Sequence, residues 1–277
     1  MLARNESKPT IDFKQTNKQT SMPIQHKFYQ TNFGNGFETH NAIFDITPYK
    51  PEVMIVGTFN PDTPNANFAD FFYGRNFFWT AFKNLFIHNA VVILNRRMPP
   101  NGIPPAILNP TLQEIFQLCL RLKLTFSDLV LEVLHNNNPN YQLLPNDNVI
   151  FNGVEYNLIQ DGQNGNVGGL QQLNALGQVN WNTQNIINYL CDNPQIKAIY
   201  FTRRPTGIWA AQWNLIVNHH CMAGRFLTNI FSPSGQGLAG NPRMNALLHH
   251  WVHNNNPNFG QLDNNWLLNN GVNLNNF

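Results

Sequence analysis

The sequence is short of charged residues. Only 12% of its 277 residues are Asp, Glu, Lys or Arg, and the formal net charge is +2. That share is about half of what an average soluble protein carries. A net charge of +2 argues against a strongly basic chromatin or ribosomal protein, but it is compatible with an enzyme that binds DNA in a local groove. Polarity comes instead from 46 asparagines, many in runs such as 136–138 and 254–256, which favour turns and loops.

Long hydrophobic runs and closely spaced cysteines are also missing. No stretch approaches the roughly 18 consecutive apolar residues of a membrane-spanning helix, and the first residues lack the apolar segment of a secretory signal. The three cysteines, Cys119, Cys191 and Cys221, lie far apart in the sequence. They include no Cys-x-x-Cys pair, so neither a four-cysteine zinc site nor an iron–sulfur cluster is expected. We therefore expect an intracellular, cytoplasmic protein in a reducing compartment.

Four short apolar runs are predicted as β-strands. Val53–Gly57 is continuous rather than alternating, which is typical of a strand buried on both faces of a parallel sheet. The other three runs are 129–134, 196–202 and 226–231. Apolar residues at helical spacing occur between the runs, within residues 78–86, 112–120 and 208–216. Strands that alternate with helices predict the α/β class, built from right-handed βαβ units.

Composition divides the chain into three parts. Residues 1–22 are polar and expected to be poorly ordered, residues 23–251 form the body, and residues 252–277 are an Asn-rich tail or a docked arm. Within the body, residues 136–184 interrupt the α/β pattern and are predicted to be an insertion. It contains a β-hairpin at 149–156, because Asn-Gly in its middle suits a type I′ turn.

Two loops at predicted strand ends are the candidate binding site, because ligands of open parallel sheets bind beyond the carboxyl ends of the strands. The first loop, 57–62, begins with Gly57, which allows close approach of a ligand. The second loop, 229–235, offers the hydroxyls of Ser232 and Ser234 together with backbone amides, a suitable cradle for a phosphate. An aromatic cluster at 71–79 suits a flat, hydrogen-bonding ligand such as a nucleobase.

At these residues the sequence resembles the uracil-DNA glycosylase superfamily. Residues 57–59 are similar to the Gly-Ser-Phe/Met-Pro-like turn of its hypoxanthine-DNA glycosylase-like branch. Tyr73 followed by residues 76–79 is similar to that branch's Tyr-rich stretch and Asn-x-Phe-Trp element. Residues 232–235 are similar to the Asn-Pro-Ser-Gly motif of the mismatch-specific branch. The motifs follow the family's order over residues 51–251.

The resemblance implies a fold, an activity and a partner. The fold would be a three-layer α/β/α sandwich with a central four-stranded parallel sheet. The activity would be that of a monofunctional DNA N-glycosylase, which excises uracil, hypoxanthine or a similar base in base-excision repair after flipping the nucleotide into a pocket. The partner would be duplex or single-stranded DNA, and no metal, organic cofactor or lyase lysine is implied. We expect a monomer without a membrane partner.

Site residues follow from the motifs and from the scattered cations. The catalytic candidates are Asn76, Asn60 and Asp62, of which Asn76 ranks first by its match to Asn-x-Phe-Trp. The candidates for binding the substrate lie in the two loops and the aromatic cluster: Gly57, Phe59, Phe72, Tyr73, Phe78, Ser232, Ser234 and Gly235. Four arginines are candidates for contacts with DNA phosphates: Arg75, Arg203, Arg204 and Arg243.

Plainer roles and other functions remain open at this point. Asn76 would also serve as a helix cap, Asn60 as a turn residue, and the aromatic side chains as core. A non-catalytic nucleic-acid or nucleobase binder with the same fold is favoured by the low positive charge. It is also favoured by Asn60, which stands three residues after Gly57 where the mismatch-specific branch has its Asn two residues after. A glycosidase that acts on free nucleosides or nucleotides would explain the nearly neutral composition.

Overall fold

Strands and helices alternate along most of the chain. The computed structural model describes residues 24–62, 69–95, 110–133, 170–175, 177–235, 237–238, 242–254 and 256–277. Ten strands lie in these ranges: β1 Ile24–Gln25, β2 Gln30–Gly34, β3 Phe37–His40, β4 Ile43–Ile46, β5 Val53–Gly57, β6 Leu124–Asp128, β7 Val130–Val133, β8 Val179–Trp181, β9 Ala198–Phe201 and β10 Phe226–Asn229. Seven α-helices lie in the same ranges: α1 Phe78–Lys83, α2 Leu112–Leu122, α3 Leu170–Ala175, α4 Thr183–Asp192, α5 Ile208–Val217, α6 Arg243–Val252 and α7 Asn264–Asn269.

The larger sheet is mixed and has seven strands in the order β10-β9-β5-β6-β4-β3-β2. Strands β10, β9, β5 and β6 pair in parallel, whereas β4, β3 and β2 extend the sheet from β6 with antiparallel pairings. The α/β class predicted from the alternation is therefore confirmed. The predicted four-stranded parallel sheet is wrong as a description of the whole sheet. Its antiparallel part forms because tight turns, one of them through Asn35 and Gly36 at positive φ, fold residues 30–46 back on themselves.

All four predicted strands lie where the apolar runs placed them. β5 matches its prediction, and β7, β9 and β10 fall inside the runs 129–134, 196–202 and 226–231. The sequence missed β6, the parallel neighbour of β5, which begins directly after Lys123 ends α2 in a left-handed conformation. The next residues form β7, which pairs with β1 and β8 in a separate three-stranded antiparallel sheet. In β6, Thr125, Ser127 and Asp128 interrupt the apolar residues, so hydrophobicity alone does not reveal this buried strand.

Helices cover both faces of the larger sheet. Ile55 packs in one core cluster, together with buried residues of α1, α2 and α6. Its neighbours Met54 and Val56 pack in a second cluster, together with buried residues of α4 and α5. Alternate residues of a strand point to opposite faces, so the uninterrupted apolar sequence of β5 is required by burial on both sides.

The predicted helices are present, and α2 begins at a capping box. At α2, the Thr111 hydroxyl accepts a hydrogen bond from the Glu114 backbone N–H, while the Glu114 carboxylate accepts one from the Thr111 backbone N–H. This capping box satisfies two donors that the first turn would otherwise leave unpaired. Every residue of α1 is buried, which explains its run of aromatic side chains.

The C-terminal segment packs against the body. Leu262, Leu267 and Val272 are buried in the same cluster as α1 and α6. The Asp263 side chain caps α7 by accepting a hydrogen bond from the Trp266 backbone N–H. Of the two alternatives for residues 252–277, the docked arm therefore describes the part of this segment that the structure covers.

Two predictions lie wholly or partly outside the described residues. Residues 1–22 and the hairpin at 149–156 are among the residues that are not described. The described end of the predicted insertion contains α3, β8 and the start of α4, and β8 belongs to the smaller sheet. Across the described ranges, no helix combines the length and the apolar character needed to cross a membrane.

Two of the three cysteines come together despite their separation in sequence. Cys191, near the end of α4, forms a disulfide with Cys221 in the short 3₁₀ turn His220–Met222. Cys119 is free and buried in α2. Nothing in the cysteine spacing predicted this pairing, because it depends on how α4 packs against the residues that follow α5.

Candidate functional site

The carboxyl ends of the parallel strands converge at one edge of the larger sheet. In chain order, the four parallel strands are β5, β6, β9 and β10, and they lie in the order β6-β5-β9-β10. The strand that follows β5 in the chain, β6, therefore lies on one side of β5, and the later strands β9 and β10 lie on its other side. In open α/β sheets, ligands bind beyond the strand ends at such a change of direction, which here falls between β5 and β9.

A buried polar cluster lies at this edge. Asp128, the last residue of β6, is 1% exposed. Its Oδ2 atom accepts hydrogen bonds from Asn60 Nδ2 at 2.7 Å and from His26 Nε2 at 2.8 Å. Asn60 belongs to the loop that follows β5, and His26 follows β1 directly. The cluster therefore ties three distant parts of the sequence to one carboxylate.

The hydrogen bonds of His26 define its tautomer. The Phe28 backbone N–H donates to His26 Nδ1 at 3.0 Å, so Nδ1 carries a lone pair rather than a proton. The proton of the neutral ring is therefore on Nε2, where it is donated to Asp128. In this arrangement Asp128 Oδ2 accepts hydrogen bonds from two donors, which is how a buried polar group is tolerated.

Gly57 provides the space for this carboxylate. A Cβ atom at position 57 would collide with Asp128 Oδ1 and would lie 2.8 Å from the Tyr73 hydroxyl oxygen. The backbone of Gly57 is not in the left-handed region. Glycine is therefore required at this position because of space. The sequence predicted that Gly57 would allow the close approach of a ligand, and in the structure the side chain of Asp128 occupies that space.

Tyr73 links the cluster to the end of β9. Its hydroxyl lies 3.1 Å from Thr202 Oγ1, and Thr202 Oγ1 donates its own proton to the Val56 carbonyl. Tyr73 must therefore be the donor of the pair. Burial, and secondly the charge of Asp128, raises the pKa of Tyr73 well above its usual value, so the phenol stays neutral. The backbone of Tyr73 has φ 60°, a conformation that the surrounding packing must maintain.

The segment that follows β1 fastens the cluster to both neighbouring loops. His26 N donates to the Leu131 carbonyl at 2.8 Å, and Lys27 N donates to the Asn60 carbonyl at 2.7 Å. Asp62 N donates to the Gln25 carbonyl at 2.8 Å. These bonds fix the backbone on either side of Pro61, so the loop after β5 is held as a rigid turn.

The three catalytic candidates occupy different environments. Asn60 lies in the polar cluster and is half-buried. Asp62 is exposed and is bonded through its backbone. The Asn76 side-chain oxygen accepts a hydrogen bond from the Phe78 backbone N–H at 3.0 Å, which is a capping contact at the start of α1.

The four candidate stacking aromatics are mostly buried. Phe72 and Phe78 are 0% exposed and belong to the core, so a ligand could reach them only if their neighbours moved. Tyr73 is 7% exposed and stacks on Phe78 with ring centroids 4.5 Å apart. Phe59 is partly exposed beside the His26 ring. Among the four, Phe59 is thus the side chain best placed to meet a ligand without rearrangement.

The second predicted loop meets the aromatic cluster. Phe77 N donates to the Pro233 carbonyl at 2.8 Å, and a Cβ atom at Gly235 would lie 2.8 Å from the Phe77 ring. Ser232 and Ser234 are half-buried, and their hydroxyl oxygens lie 3.1 Å apart. The structure therefore brings together the two regions that the sequence motifs singled out, although 150 or more residues separate them.

The four arginines flank the same edge. Arg203 and Arg204 directly follow Thr202 after β9, and Arg75 lies in the turn before α1. Arg243 begins α6, and its side chain passes beside Gly235. The Arg203 guanidinium also lies over the Trp209 ring, 5.2 Å from its centroid. Arg204 and Arg243 are the more exposed pair.

A separate cleft of about 500 Å³ lies between β10 and the C-terminal arm. Its lining includes Phe226, Thr228 and residues 260–265, and it contains none of the candidate residues described above. Phe226 starts β10, so this cleft is not at the carboxyl end of that strand. Its place in the fold does not associate it with the polar cluster.

Sequence reasoning missed His26, Asp128 and Thr202. A signal existed for Asp128, because a carboxylate at the end of a buried strand is unusual and requires partners. Asp128 ends β6, the strand that the apolar pattern does not predict. Thr202 was included in the predicted strand at 196–202 but was not considered as a site residue, and His26 lies in a segment without a recognisable pattern.

Comparisons of the chain with models of protein families, with curated proteins and with solved structures find no match.

Proposed function

We propose that the protein is a monofunctional DNA N-glycosylase, with its active site at the carboxyl ends of β5, β9 and β10. The observation that carries the proposal is the orientation of Asn60. Its Nδ2 atom is held by the buried Asp128 carboxylate at 2.7 Å, so its Oδ1 atom is directed away from that carboxylate. A fixed amide oxygen at a strand end can accept a hydrogen bond from a water molecule and orient it.

The proposed reaction is hydrolysis of the bond between base and sugar. The N-glycosidic bond breaks, and its electron pair leaves with the base, while the sugar acquires oxocarbenium character. Water, oriented by Asn60 Oδ1, forms the new bond to the anomeric carbon, and its proton is finally taken up by the anionic base. Asn60 contributes orientation rather than basicity, which suits an amide side chain.

Donors opposite Asn60 would stabilise the departing base. The hydroxyls of Ser232 and Ser234 and the backbone amides of their loop can donate to a developing negative charge or to a phosphate. Phe59 would form an aromatic wall of the pocket. Asp128 and His26 are positioning residues in this scheme, because they act on the water only through Asn60.

The fold supports the same proposal. We infer that the four parallel strands, with helices on both faces, correspond to the α/β/α sandwich of the uracil-DNA glycosylase superfamily. The antiparallel strands β2, β3 and β4 would then be an addition to it. The substrate would be DNA containing uracil, hypoxanthine or a similar base, and the phosphate contacts would fall to the arginines that flank the site.

One observation favours a second candidate, a glycosidase for free nucleosides or nucleotides. The net charge is only +2, and the Arg203 guanidinium already lies over Trp209. A salt series separates the two candidates. Binding to DNA should weaken steeply as salt rises because counterions are released, whereas binding to a free nucleoside should barely respond.

The experiment is single-turnover excision with excess protein. End-labelled single strands and duplexes would carry uracil, hypoxanthine or mismatched thymine, and alkali would convert abasic sites into strand breaks. We expect cleavage of at least one substrate, and loss of about 100-fold in rate in Asn60→Ala. Cleavage of no substrate by the folded parent protein would refute the proposal, and release of base from free nucleosides would favour the second candidate.

A further inference from the structure

Two cysteines and two histidines lie close together in the helical layer formed by α4 and α5. Cys191 lies near the end of α4, His219 follows α5, and His220 and Cys221 belong to the next turn. The Cys191 Sγ, Cys221 Sγ and His219 Nδ1 atoms lie within 4.8 Å of one another. The proposed glycosylase site uses none of these residues.

The distances between sulfur and nitrogen match those of a tetrahedral zinc site. Cys191 Sγ lies 3.7 Å from His219 Nδ1, and Cys221 Sγ lies 3.4 Å from His220 Nε2. Zinc binds cysteine sulfur at about 2.3 Å and histidine nitrogen at about 2.0–2.1 Å, so two such ligands at a tetrahedral angle are about 3.6 Å apart. His219 thus faces Cys191 at the spacing of two ligands on one ion and lies in one mutually close group with both sulfur atoms, whereas His220 contacts Cys221 from outside that group.

We propose that Cys191, Cys221 and His219 bind one Zn²⁺ ion when the disulfide is reduced, with a water molecule or His220 in the fourth position. A dithiol reductant would supply two electrons and two protons, break the bond between the sulfur atoms and leave two thiols. Zn²⁺ then displaces the two thiol protons. Two thiolates balance the charge of the ion, so the site as a whole is neutral. Oxidation by a peroxide would remove two electrons, restore the disulfide and release the ion.

The surroundings fit both states. Cys191, His219 and Cys221 are half-buried and His220 is exposed, so a reductant or an ion can reach them. In the disulfide state, the Cys221 backbone N–H donates to His219 Nδ1 at 3.4 Å, a long bond that a metal ion would replace. The Cα atoms of the two cysteines are 5.4 Å apart, so modest side-chain rotations separate the sulfur atoms for metal binding.

The backbone around the cluster is fixed independently of the disulfide. Arg225 donates to the Leu190 carbonyl at 2.7 Å, which connects the end of α4 to the residues before β10. His219 N donates to the Ile216 carbonyl at 3.1 Å, and Met222 N donates to the His219 carbonyl at 2.9 Å. Because these bonds do not involve sulfur, reduction should leave the four side chains close together and ready to bind.

The test compares zinc bound by the reduced and the oxidised protein. The full chain is reduced with a dithiol, freed of reductant without oxygen, incubated with Zn²⁺ and desalted. We expect about one zinc per reduced chain, none on the oxidised chain, and release after peroxide. Co²⁺ in place of Zn²⁺ should give the sulfur-to-metal charge-transfer absorption of a tetrahedral thiolate site.

Variants and chemical protection identify the ligands. Cys191→Ser and His219→Ala should lose the bound zinc, whereas His88→Ala, which changes an exposed histidine on another element, should keep it. In the parent protein, which needs no variant to fold, Zn²⁺ should protect Cys191 and Cys221 from alkylation by iodoacetamide. A folded, reduced protein that retains no zinc would overturn the proposal. So would zinc that persists in Cys191→Ser, or alkylation that Zn²⁺ leaves unchanged.

Discussion

Replacing Gly57 by alanine should destabilise the protein through one identifiable collision. The added Cβ atom would overlap Asp128 Oδ1 and approach the Tyr73 hydroxyl oxygen to 2.8 Å. Neither neighbour can move freely, because Asp128 Oδ2 is fixed by Asn60 and His26, and Tyr73 is bonded to Thr202. The cost arises from contact alone, since the backbone of Gly57 is not in the left-handed region.

The magnitude follows from two contributions. Inserting a methyl group into a packed site costs about 1–3 kcal/mol, and displacing the carboxylate from one of its charged hydrogen bonds costs about 1.5–3 kcal/mol. We therefore expect Gly57→Ala to lower the free energy of unfolding by about 2.5–6 kcal/mol. For a chain of this size the melting temperature should fall by roughly 5–20 °C.

The assay is urea and thermal unfolding followed by circular dichroism. Gly177→Ala is a control with positive φ and nothing within 4 Å of the added Cβ, so it should cost only the backbone penalty of about 1–2 kcal/mol. In the double variant with Asp128→Ala, the nearer collision partner is gone and only the Tyr73 hydroxyl remains, so the total loss should be smaller than the sum of the single losses. Stability equal to that of the parent in Gly57→Ala would refute the described position of the Asp128 carboxylate.

Three further predictions concern stability. Thr111→Ala should cost about 1 kcal/mol, since it removes a capping hydroxyl from α2; urea unfolding with no loss would contradict the capping box. Burial raises the pKa of Tyr49 and of Tyr73 above the ordinary range, and Tyr73 is also affected by Asp128. These phenols stay neutral in the folded chain but ionise near pH 10 in the unfolded chain, so stability should fall above about pH 10. Phenolate absorbance that shows every tyrosine ionising near pH 10 in the folded protein would contradict this. Finally, reducing the Cys191–Cys221 disulfide, whose cysteines are 30 residues apart, should cost about 3–4 kcal/mol in metal-free solution, and an unchanged unfolding midpoint would argue against the bond.

Sequence patterns predict the parts of this fold in which one physical effect dominates. The strand Val53–Gly57 follows from continuous hydrophobicity, because burial on both faces leaves no other pattern. The strand Leu124–Asp128 does not, because Thr125, Ser127 and Asp128 interrupt its apolar residues although all five residues are buried. The hydrophobic pattern therefore predicts β7 but misses β6, the parallel neighbour of β5.

The residues of the candidate site also fall into those that local sequence reveals and those that only tertiary contacts reveal. Gly57 and Asn60 were found because a glycine and an amide at a strand end are recognisable from local sequence. Asp128 and His26 were missed because their roles come from contacts across 102 residues, which no local pattern encodes. The loop 229–235 lies against the aromatic cluster at 71–79, but this contact, from Phe77 to Pro233, depends on tertiary packing that no local pattern encodes.

The role of Asn60 is tested by comparing two asparagines in one assay. Single-turnover excision on the best DNA substrate would be measured for Asn60→Ala and Asn76→Ala, with the exposed Asn265→Ala as a control. We expect a rate about 100-fold lower in Asn60→Ala, whereas Asn76→Ala should affect mainly stability and Asn265→Ala should affect neither. A full rate in Asn60→Ala, with the loss confined to Asn76→Ala, would contradict the assignment of Asn60 as the residue that orients water.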